Sequence, residues 1–111
     1  MDCIITMMEI KNGKRYNTET ATELAEYKNM GDTSNVFYMR ETLYKTPKGN
    51  YFIVGFGRGM SKYGIRPGPG PGCIEDTKLI PLTQAEAFAW CEKTGNYDVI
   101  EKEFNDVLED A

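Results

Sequence analysis

Two alternating runs separated by a four-residue turn decide most of what this chain can become. Residues 36–46 read VFYMRETLYKT, with Phe37, Met39, Glu41, Leu43 and Lys45 on one side and Tyr38, Arg40, Thr42 and Tyr44 on the other. A period of two is the strand period, and β-branched and aromatic residues suit a pleated surface. Pro47-Lys48-Gly49-Asn50 follows. Proline presets φ and glycine accepts positive φ, so the chain turns there. Residues 50–56 (NYFIVGF) return as the most apolar stretch of the chain. The pattern predicts a β-hairpin over residues 36–57. Aromatics on both faces ask for one face in the core and the other partly covered.

The flanking segments extend this sheet. Residues 3–10 (CIITMMEI) are rich in β-branched and long apolar side chains and read as a strand. Asn12-Gly13 then marks a type I′ hairpin turn, with a second strand beginning over residues 15–17. Residues 17–29 fit both periods: Leu24 and Tyr27 sit three apart as on a helix, while Thr22, Leu24, Glu26 and Lys28 alternate as on a strand. Their position between two hairpin-like elements favours the strand. Residues 57–76 form a long Gly/Pro-rich loop around Pro67-Gly68-Pro69-Gly70-Pro71-Gly72, where proline cannot donate to a ladder. Residues 78–80 allow a short strand.

The chain then changes period. Thr83-Gln84-Ala85-Glu86 is a capping box, predicting a helix from Gln84 to about Thr94 that stops at Gly95. Its expected buried face is Ala85, Phe88, Ala89 and Cys91, with Trp90 at the edge. A second helix is expected from Asp98, with Ile100, Phe104, Val107 and Leu108 on one stripe. Strands first and helices last imply an α+β fold: a small antiparallel β-sheet of four or five strands, followed by two C-terminal helices packed on one face. At 111 residues this is one domain, residues 1–111, large enough to fold without staples.

Composition narrows the chemistry. The chain has no histidine, which removes Ser-His-Asp and Cys-His catalysis and the commonest zinc ligand. Three cysteines (Cys3, Cys73, Cys91) with no Cys-x-x-Cys point to reduced thiols, hence to a cytoplasmic protein rather than a disulfide scaffold. The first ten residues lack a basic leader, so no signal peptide is expected, and no stretch is long enough to span a bilayer. No cofactor is expected.

Charge is unevenly placed. From Glu92 onward seven acids face two lysines, a net −5 out of −4 for the whole chain, leaving the other residues at +1. A near-neutral body argues against broad nucleic-acid binding, which needs many phosphate contacts. The acidic end, with Glu101, Asp106 and Glu109, suits a basic partner, and equally a solvated helix face.

Gly55-Phe56-Gly57-Arg58-Gly59-Met60 has the look of a phosphate loop but lacks the third glycine, the following helix and the terminal Gly-Lys-Ser/Thr. The expected role of its glycines is to let the chain leave the sheet sharply. Arg58, Lys62 and Arg66 lie on the loop with Tyr63 among them. Arginine beside an exposed aromatic suits RNA, an acidic protein surface, or plain solvation. Paired acids such as Glu101 with Asp106, or Glu75 with Asp76, are compatible with acid–base work, though no feature of the sequence marks either pair as buried. Surplus tyrosines on an exposed sheet face would suit a protein interface.

Lys14-Arg15-Tyr16-Asn17-Thr18-Glu19-Thr20-Ala21, Glu41-Thr42-Leu43-Tyr44-Lys45, Gly49-Asn50-Tyr51-Phe52, Gly59-Met60-Ser61-Lys62-Tyr63 and Ile80-Pro81-Leu82-Thr83 together resemble a family of small acidic proteins carried by mobile elements of Gram-positive bacteria. The similarity runs from about Lys11 to the C-terminal helix. The Pro-Gly run at 67–72 departs from the family pattern. The resemblance implies a fold rather than a chemistry. Small acidic proteins of this setting include anti-CRISPR proteins, which bind a CRISPR effector nuclease or its guide RNA and block it. The expectation is therefore a non-catalytic binding protein whose partner is a protein, with guide-RNA contact as a variant. A generic or antitoxin-like interaction module is the alternative.

Overall fold

The computed structural model describes residues 6–66, 68–70 and 72–111. In chain order its elements are β1 (Met8–Lys11), β2 (Lys14–Asn17), β3 (Thr22–Lys28), β4 (Met39–Lys45), β5 (Tyr51–Gly57), β6 (Asp76–Leu82), α1 (Gln84–Thr94) and α2 (Tyr97–Glu103). The four strands β3-β4-β5-β6 form an antiparallel meander, and β1-β2 form a separate two-stranded hairpin. The fold is α+β, with two sheets where the sequence suggested one. Cys3 and the start of the first expected strand lie outside the described residues, as do Pro67 and Pro71 of the Pro-Gly run.

Local chemistry explains most boundaries. Asn12 and Gly13 take φ of 52° and 75°, the conformation that closes the tight β1–β2 turn. The segment that fitted both periods is strand β3, paired with β4 through an irregularity between Glu23 and Ala25. The central hairpin starts at Met39, not at residue 36. Asn35 captures the preceding backbone instead: its Oδ1 accepts from the Phe37 N–H at 2.8 Å, and its carbonyl from the Tyr38 N–H at 2.9 Å. β6 is longer than residues 78–80 because it pairs with β5 along its whole length.

The sheet is the middle of three layers. On one face Leu43, Tyr51 and Ile53 meet Ala87, Trp90, Cys91, Ile100 and Phe104 of the helical layer. On the other, Phe52, Val54 and Leu79 meet Tyr16 of the β1–β2 hairpin. Phe52 is held between Tyr44, stacked at 5.1 Å, and Tyr16, edge-on at 5.6 Å. Tyrosines are thus largely packing residues: Tyr16, Tyr38, Tyr51 and Tyr63 are buried, and the strand tyrosines Tyr27 and Tyr44 are half-buried.

The first helix keeps its predicted caps but turns differently, and the second begins after Asn96 without a side-chain cap. Thr83 and Glu86 form the capping box, and Gly95 closes α1 with φ 76°. The buried stripe is Ala87, Trp90 and Cys91, spaced i, i+3, i+4, while Ala85 and Ala89 face outward. Burying a tryptophan gains far more apolar area than burying two alanines, provided its N–H finds a partner. α2 starts at Tyr97 after Asn96, not at Asp98, and ends at Glu103 with Phe104 as its C-cap. Ile100 and Phe104 are buried, but Val107 and Leu108, expected on the same stripe, are 52% and 40% exposed. Among the described residues no helix is long and apolar enough to cross a membrane.

Both outer edges of the meander are blunted. Lys11 Nζ donates to the Leu79 carbonyl at 2.8 Å, and Pro81 has no N–H to offer. The irregularity in β3 interrupts the other edge. Such devices discourage strand addition by another chain.

Candidate functional site: a pinned loop and an acidic helical end

The loop after β5 begins where Gly55 stands opposite Glu41 in the β4–β5 register. A Cβ on Gly55 would collide with the Tyr63 ring, and one on Gly64 with the Gly59 carbonyl. These glycines therefore let the loop come back onto the sheet, rather than merely leave it. Without side chains in the way, Tyr63 lies over Gly55 on the helix side.

There it meets Glu41, a carboxylate only 5% exposed on a central strand. The Tyr63 hydroxyl donates to Glu41 Oε2, Trp90 Nε1 donates to Oε1 at 3.0 Å, and Lys62 Nζ lies 2.8 Å from Oε2. Burial alone would raise the carboxyl pKa, but the hydrogen bonds from Lys62, Tyr63 and Trp90 and the lysine charge outweigh it and hold Glu41 below its ordinary range. Burial, followed by the Glu41 carboxylate, drives the Tyr63 hydroxyl pKa far upward, so Tyr63 stays a donor. One carboxylate thus ties strand, loop and α1 together. An unpaired charge here would be costly, and this one has a partner on each side.

The rest of the loop is clasped as well. Arg58 Nε donates to the Thr33 carbonyl at 2.9 Å, its guanidinium pairs with Glu75, and it lies 5.5 Å from the Phe56 ring centroid. Ile65 and Ile74 exchange backbone hydrogen bonds of 3.0 and 2.8 Å, so residues 57–76 carry a small bridge where the sequence suggested no regular pairing.

The candidate residues therefore divide. Tyr63 is 3% exposed and is not a platform for an RNA base. Lys62 and Arg58 are occupied by internal carboxylates, and Arg66 is exposed. At the other end Glu101, Asp106 and Glu109 are all exposed and make no ion pair among the described residues. Of the seven acids from Glu92 onward, only Glu103 is paired among the described residues, with Lys45 at 2.9 Å.

The acids weighed for acid–base work are not brought together in the fold. Glu101 and Asp106 are solvent-exposed, and Glu75 is spent on Arg58. Among the described residues, no three His, Cys, Asp or Glu side chains are grouped to hold a metal ion. Cys91 is buried and its thiol pKa is pushed up to about 11 by burial, with a smaller contribution from Asp98, which makes it a poor nucleophile. Sequence reasoning missed Glu41 and Trp90 as partners. The available signal was an acid in the middle of an otherwise buried strand, across from a glycine. Comparison with protein-family models, curated proteins and solved structures finds no match for this chain.

Proposed function

We propose that this is a non-catalytic binding protein that docks through its acidic C-terminal end on a basic surface of a nucleic-acid-handling enzyme. In its most concrete form it is an anti-CRISPR inhibitor, working in the cytoplasm. The observation that carries this reading is the set of exposed acids Glu101, Asp106 and Glu109, which make no ion pair among the described residues, in a molecule whose loop cations Arg58 and Lys62 are already engaged. Fixed negative charge competes for a channel that evolved to hold phosphates, and it steers association with such a surface. Direct capture of guide RNA by residues 58–66 is disfavoured, because its aromatic is buried and two of its three cations are paired. The resemblance stated above supplies the CRISPR setting, and the free thiols Cys73 and Cys91 fit a reducing compartment.

The test is a DNA-cleavage assay with RNA-guided nucleases of the main CRISPR types at excess protein. We expect inhibition of at least one type, relieved at least about tenfold when Glu101, Asp106 and Glu109 are all replaced by lysine, a loss of about 1.4 kcal/mol. Unimpeded cleavage across all types overturns the inhibitor reading.

A further inference from the structure

The acidic end also contains an apolar cleft. Ala85 and Ala89 on the exposed side of α1, the half-buried Phe88 and Val107 of the C-terminal segment line a depression of about 310 Å³ together with Gln84 and Glu92. Its floor is apolar because α1 turned Trp90 inward and left the two alanines out, and because α2 ended before Val107 could be buried. The volume is at the small end for a ligand pocket and suits one or two bulky apolar side chains rather than a cofactor.

Charge selects the occupant. Residues 84–111 hold eight acids and two lysines. Glu92 lines the cleft, and Asp106 adjoins Val107 in the chain. A second copy would bring the same acids against these, and nucleic acid would bring phosphates; both are repelled. The lining positions 85, 88, 89 and 92 follow the i, i+3, i+4, i+7 stripe of one helix, the surface against which another helix packs its own stripe. We infer that this cleft receives the apolar stripe of a cationic amphipathic helix on a protein partner, with the surrounding acids pairing its lysines and arginines. The inference rests on the binding reading above and gives it a docking mode.

The probe is a fluorescein-labelled helical peptide of leucine and lysine, with leucines at i, i+3, i+4 and i+7, measured by anisotropy against a scrambled peptide of identical composition. The patterned peptide should bind at least tenfold tighter than the scramble. Ala89→Arg, at an exposed position, should cost at least tenfold without moving the thermal midpoint, and Val107→Lys serves as a second variant reaching the cleft from the other wall. Equal affinity for the two peptides, absence of binding, or unchanged affinity in both variants overturns the docking mode. The cleavage assay is scored separately. Patterned-peptide binding with uninhibited nucleases keeps the cleft and removes the CRISPR reading; inhibition without peptide discrimination does the reverse.

Discussion

The loop at residues 58–66 and the C-terminal segment at 92–111 have opposite relations between appearance and use. The loop carries the side chains usually associated with recognition: two arginines, a lysine and a tyrosine among glycines. In the folded molecule most of them face inward or toward a partner within the chain: Tyr63 and Lys62 to Glu41, Arg58 to Glu75 and Thr33. The C-terminal segment looks like an ordinary solvated helix, yet Glu101, Asp106 and Glu109 are exposed with no ion pair among the described residues, and Val107 of the same segment lines an apolar cleft. Charge is available for binding only after internal pairing has taken its share, and pairing depends on contacts distant in sequence.

The sharpest way to break this contrast is at Glu41. Replacing it by alanine leaves the Tyr63 hydroxyl and the Trp90 N–H without an acceptor in a buried setting. Each such group costs about 1–3 kcal/mol, so Glu41→Ala should destabilise by about 2–4 kcal/mol in chemical denaturation. Lys62 adds little, since its side chain is 52% exposed and regains water. Trp90 is the single tryptophan, so its fluorescence reports on this site directly and should shift in the variant before global unfolding. A loss below about 1 kcal/mol with unchanged emission would mean that the loop is not held by this carboxylate.

A smaller effect follows from the same group's titration. Glu41 has a folded pKa below its unfolded value of 4.5. The unfolded chain therefore takes up this proton first as pH falls, and stability is present above pH 4.5 and lost as pH drops through the folded pKa. Wild-type stability should decline across that acid range more steeply than that of Glu41→Gln, which has no proton to bind at this position. Parallel acid limbs in the two proteins would place the titration elsewhere.

Much of the architecture was legible because its determinants are local. The Asn12-Gly13 turn, the hairpin around Pro47 to Asn50 and the Thr83–Gly95 helix each follow from backbone preferences within a few residues, and each is found. What was not legible depends on distant contacts. Ala85 and Ala89 face solvent because Trp90 reaches an acceptor 49 positions earlier in the chain. The glycines at 55 and 64 looked like an exit from the sheet, since their reason, the Tyr63 ring and the Gly59 carbonyl, exists only once the loop has folded back. Likewise Tyr63 reads as exposed on a polar loop until Glu41 is placed beneath it. The acids at 101, 106 and 109 were readable as exposed because no distant cation claims them.

The smallest stability change belongs to the segment proposed to bind. Glu101, Asp106 and Glu109 are exposed and unpaired, so replacing all three by lysine should move stability by no more than about 0.5 kcal/mol per site. Its sign can even be favourable, because the segment's own acids repel one another and lysine relieves that repulsion. Set beside Glu41→Ala, the triple variant separates the two regions on one pair of axes: denaturant midpoint and affinity for a cationic partner. The loop variant should shift the midpoint, and should lower affinity only in proportion to the unfolded fraction. The tail variant should shift affinity with the midpoint held, and its salt dependence should shrink or reverse, since three acid-to-lysine changes take the net charge from −4 to +2. If the triple variant unfolds as readily as Glu41→Ala, the C-terminal acids are part of the scaffold and the division between the two regions fails.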